Sequence, residues 1–127
     1  MKKTVYVLGN PVVPSDGLPL KIVSKLQKRL PEFSFVHFDP TEEINLETQQ
    51  ELILIDTVIG IKQVTKFDNL KKFLLSPRVS VHDFDLSVSL RLLEKLGKIK
   101  KVTIIGMPTK GKLPAIISQV ENILKSI

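Results

Sequence analysis

A chain of 127 residues suits one domain and can bury a core without disulfides or a structural metal, so residues 1–127 are read as a single unit. It contains no cysteine, which excludes a disulfide framework, a thiolate metal site and a cysteine nucleophile, and makes a reducing cytoplasm its natural home. The net charge is +6, but the cations are scattered and aromatic residues make up only 6% of the chain, so no nucleic-acid partner is expected.

The first apolar run, Thr4 to Leu8, is continuous, as in a strand covered on both faces. It is too short for a membrane span and no later apolar run approaches that length, so neither a leader nor an anchor is expected, and no membrane partner. The stretch Leu8 to Pro19, LGNPVVPSDGLP, then turns the chain toward a helix. From Pro19 onward Ile22, Val23, Leu26 and Leu30 recur at helical spacing, until Pro31 ends the pattern. Lys25, Lys28 and Arg29 lie near its end, where cations suit the helix dipole.

Phe33 to Phe38 predicts a second strand, followed by a polar loop or short helix over 39–50. Leu52 to Ile55 is a fully buried strand that runs directly into Asp56 and Thr57. Over 61–67, Ile61, Gln63 and Thr65 alternate with Lys62, Val64 and Lys66, which predicts a more exposed strand or hairpin partner, read as antiparallel. A short turn of helix over 71–75 and a segment Val79-Ser80-Val81 lead to His82. A helix is then predicted with Asp83 or Asp85 as its N-cap, Leu86, Leu90 and Leu93 on one stripe, and Gly97 as its C-cap. Lys95, Lys98, Lys100 and Lys101 gather around its end. Val102 to Ile105 is the last buried strand, and Leu113 to Ile127 is an amphipathic helix.

Strands alternating with helices predict a three-layer α/β/α domain around a mostly parallel, twisted sheet. Ligands of such sheets collect at the carboxyl ends of the strands. By that rule Asp16, Asp56 and His82 fall on one rim, beside Gly9 and Gly106. Two carboxylates and an imidazole suit a divalent first-row metal and leave coordination positions for an outside ligand. Each residue also has a plainer role: Asp16 as a helix N-cap, Asp56 as an acceptor for the following turn, His82 as a capping or solvated side chain.

Other chemistries fit less well. Ser80, His82 and Asp83 are too close in sequence for a hydrolytic relay, and no GxSxG elbow is present. Gly106 to Lys112 matches GxxxxGK between a strand and a helix, but Leu113 stands where a phosphate-binding loop needs Ser or Thr, and Pro108 removes a backbone donor.

Three blocks, LGNPVVPSDG before an amphipathic helix, ELILIDT closing a buried strand, and SVHDFDLSVSLRLLEKLG, together resemble the hydrogenase maturation endopeptidases. These proteases trim the C-terminus of nickel-iron hydrogenase large subunits. The resemblance implies a phosphorylase/hydrolase-like three-layer fold, nickel ligation by Asp16, Asp56 and His82, and a loop shaped by Gly9, Asn10 and Gly17. It further implies that nickel arrives within the hydrogenase large-subunit precursor and licenses removal of its C-terminal extension, although another divalent metal is an alternative for the isolated protein. Ligation requires neutral imidazole, so it should weaken as pH falls and His82 protonates. No nucleophile is evident, and a water-mediated cleavage is expected. Ser15, where the family often has an acidic residue, Pro19, where it usually has glycine, and a short region over 39–51 depart from the family pattern. The alternative reading is a non-catalytic α/β module that binds a metal or a small anion such as phosphate.

Overall fold

The computed structural model describes residues 3–8, 18–38, 51–58, 61–68 and 101–127. Strand β1 (Lys3–Leu8) is followed by helix α1 (Leu18–Arg29), β2 (Phe33–Phe38), β3 (Glu51–Thr57), β4 (Thr65–Phe67), β5 (Lys101–Met107) and helix α2 (Leu113–Lys125). The buried strands extend one or two residues beyond the predicted apolar runs, because ladder pairing continues through polar ends such as Glu51, Thr57 and Lys101. The exposed segment is shorter than predicted: β4 covers 65–67 alone.

The strands form one sheet in the order β2-β1-β3-β5-β4. The β1–β2, β1–β3 and β3–β5 pairs are parallel, while β4 runs antiparallel to β5, as the alternating pattern predicted. Successive strand residues face opposite sides, and the two sets separate cleanly. Val5, Val7, Ile53, Ile55, Ile105 and Met107 pack with Ile22, Leu26 and Leu30 of α1 and Ile116, Ile117, Val120 and Leu124 of α2. The intervening residues Leu52, Leu54, Asp56, Val102 and Ile104 are buried on the opposite face. Both faces are therefore covered, which is why these strands read as unbroken apolar runs.

The helices end where the sequence changes character. In α1 the Leu30 N–H reaches Leu26 O at 2.8 Å, after which Pro31 has no N–H to continue the ladder. Gly111, at φ 153°, occupies a conformation open to glycine and leads into α2, whose first turn contains Pro114. At its other end Ser126 Oγ donates to Ile123 O at 2.7 Å.

Glutamines from the helices brace both margins of the sheet. Gln27 of α1 donates through Nε2 to Phe33 O at 2.7 Å and accepts from Phe35 N–H at 3.2 Å. Since Glu32 O bonds toward β1, the alternating Phe33 and Phe35 groups point outward, and the amide takes the place of a further strand. Gln119 of α2 accepts from Val64 N–H at 3.0 Å, immediately before β4.

Candidate functional site

From β1 the chain crosses through α1 to β2, whereas β3 lies on the other side of β1. The strand order therefore reverses between β1 and β3, and the crevice at their carboxyl ends is where a sheet of this kind receives ligands. Asp56 occupies that end of β3. It is 5% exposed, and its Oδ1 accepts from Thr57 N–H at 2.8 Å. That bond orients the carboxylate from its own strand.

The wall beside Asp56 is apolar. In register, Asp56 lies opposite Gly106 of β5, which in turn lies opposite Thr65 of β4. The missing side chain of Gly106 admits its neighbours: a Cβ there would stand 2.8 Å from Val58 Cγ2, 3.0 Å from Phe67 Cε2 and 3.6 Å from Ile61 Cδ1. Val58 is held in place as its N–H donates to Met107 O at 2.8 Å. A carboxylate against such a surface meets less water, which strengthens its attraction for a cation.

Of the predicted ligands, the structure describes Asp56 alone. Asp16 and His82 lie outside the described residues, as do the loop residues Gly9, Asn10 and Gly17. Their chain positions relative to the elements are nevertheless defined. β1 ends at Leu8, just before Gly9, and α1 begins at Leu18, just after Gly17, so Asp16 belongs to the connection leaving the carboxyl end of β1. His82 belongs to the connection between β4 and β5. Among the described residues no group of three metal-ligating side chains occurs.

The GxxxxGK motif does not form a phosphate cradle of the expected kind. Pairing of Thr57 with Met107 carries β5 past Gly106, which is a strand residue packed under Val58 and Phe67. The connection to α2 then starts at Pro108, too late for the first glycine to shape a loop around an anion.

Two roles in the site go beyond the sequence reading, the close packing over Gly106 and the orienting bond from Thr57. Gly106 carried a signal, since glycine inside an apolar strand marks a close approach of neighbouring groups. Thr57 carried none beyond its place after Asp56. No helix among the described residues is long and apolar enough to cross a membrane.

No protein-family model matches the chain, and no curated protein does. Solved structures do match it. The hydrogenase maturating endopeptidase HybD from E. coli superposes with a TM-score of 0.75 at 17% identity, covering 99% of this chain and 91% of that one. An endopeptidase from Escherichia coli gives 0.63 at 19% identity, covering 99% and 89%. A hydrogenase 2 maturation peptidase from a Thaumarchaeota archaeon gives 0.55 at 16% identity, covering 98% and 97%. The sheet order and flanking helices are thus those of an α/β fold like that of HybD.

Proposed function

We propose that this protein is a hydrogenase maturation endopeptidase, which recognises nickel in a hydrogenase large-subunit precursor and removes the C-terminal extension. The observation that carries the reading is Asp56, a carboxylate oriented by Thr57 N–H at the switch-point crevice of a fold like that of HybD. Asp16 and His82 complete the proposed nickel-binding set. Two oxygen donors and one imidazole suit Ni²⁺ and leave room for ligands that the substrate itself provides. The metal belongs to the substrate and acts as a checkpoint, since a precursor lacking nickel offers these side chains nothing to hold. Cleavage then falls to water, activated by a carboxylate as base or by the metal as Lewis acid. The proposed location is the cytoplasm.

Incubation with a nickel-loaded hydrogenase large-subunit precursor tests the reading, with mass spectrometry as the readout. The wild-type protein shortens the precursor at its C-terminus, whereas Asp56→Asn and His82→Ala leave it intact. A precursor untouched by the wild-type protein overturns the proposal; nickel or phosphate binding without cleavage would instead indicate a non-catalytic module.

A further inference from the structure

Among the described residues, two buried side-chain oxygens have no hydrogen-bond partner: Thr57 Oγ1 and Thr103 Oγ1. Buried polar atoms are nearly always paired, so each asks for an explanation. Both belong to the set facing α1 and α2, since Thr103 is in register with Ile53 and Thr57 with Met107. Their positions along the strands differ. Thr103, 0% exposed, lies four residues before the end of β5. Thr57, 6% exposed, is the last residue of β3, at the carboxyl end of the sheet and on the opposite face from Asp56.

We infer that Thr57 is a substrate-contacting residue, whose hydroxyl donates to a backbone carbonyl of the polypeptide received by the crevice. The inference rests on the peptidase reading above. Its basis is the conjunction of an unpaired donor with the ligand end of the sheet. The N–H of Thr57 is already committed to Asp56, so one residue orients the carboxylate through its backbone and keeps its side chain available for the substrate. Oγ1 is shielded in the free protein, and the contact forms when χ1 turns by one staggered step. Thr103, equally unpaired but remote from the crevice, provides the internal control.

The experiment compares wild type, Thr57→Val, Thr57→Ser and Thr103→Val for cleavage of the nickel-loaded precursor and for thermal unfolding. Both valine variants melt at or above the wild-type temperature, because each removes an unsatisfied buried hydroxyl. Thr57→Val lowers kcat/KM about tenfold, mainly by raising KM, as expected for loss of one neutral hydrogen bond. Thr57→Ser restores cleavage, and Thr103→Val cleaves like wild type. Undiminished cleavage by Thr57→Val overturns the inference alone, as does a Thr57→Val protein that melts well below wild type. A wild-type protein that leaves the precursor intact overturns it together with the peptidase reading.

Discussion

Gly106 carries structural weight through the side chain it lacks. Its φ is not in the left-handed region, so alanine there meets no backbone strain; the obstacle is packing. The new methyl would stand 2.8 Å from Val58 Cγ2, and Val58 is 1% exposed with a β-branched side chain that cannot easily swing aside. Overpacking of this kind costs about 1–3 kcal/mol, which outweighs the roughly 0.4–1 kcal/mol gained from a stiffer unfolded chain. Gly106→Ala therefore lowers the denaturant midpoint. Because Val58 lies two residues beyond Asp56, the same substitution should reduce precursor cleavage by more than the loss of folded protein explains. Equal losses would show that the wall has no part in holding the carboxylate.

The glutamine braces operate at the scale of whole elements. An open sheet edge invites pairing with another chain, and natural sheets guard against this. Here Gln27 occupies the outward groups of Phe33 and Phe35, and Gln119 occupies Val64 N–H, while β4 itself is only three residues long. Gln27→Ala removes both bonds on β2, at a cost of about 1–3 kcal/mol in total. It also exposes a strand without lysine, arginine or carboxylate, FSFVHF, in which Val36 is already 43% exposed. The variant should melt lower and scatter light at concentrations where wild type stays clear; unchanged melting would mean that water satisfies the edge equally well. None of this was legible in the sequence, where a glutamine on a helix reads as a solvated side chain. The elements themselves were legible because their apolar spacing is local: Ile22, Leu26 and Leu30 announce α1, and Ile116, Val120 and Leu124 announce α2. The extra residues of β3 and β5 were not, because their polar ends are strand only through the partner across the ladder.

Across the whole molecule, the two helices that share one face of the sheet are tied by charge as well as by packing. Glu121 of α2 contacts Arg29 of α1 at 3.2 Å and Lys125 at 3.0 Å. The hydrogen bond from Lys125, opposed by desolvation and aided by Arg29, lowers the Glu121 carboxyl below its ordinary value. A depressed carboxyl contributes stability above its unfolded pKa and loses it as pH falls through the folded value. Wild type should therefore melt above Glu121→Gln near pH 7, with the gap closing on acidification below about pH 4, the ordinary glutamate range. A gap independent of pH would assign the effect to packing. The place of Asp56 was legible at this same scale. That strand β3 ends on a carboxylate can be read from ELILIDT, and the parallel order then places Asp56 at the switch point. The pairing state of Thr57 and Thr103 depends on three-dimensional neighbours and was beyond any spacing rule. The register of β3 has a further consequence for chain length. It is set by β1 on one side and β5 on the other, so the pairing that places Asp56 is fixed by strands and not by the number of residues the chain uses to reach β3. A chain with more or fewer residues before β3 should then keep its carboxylate at the same depth.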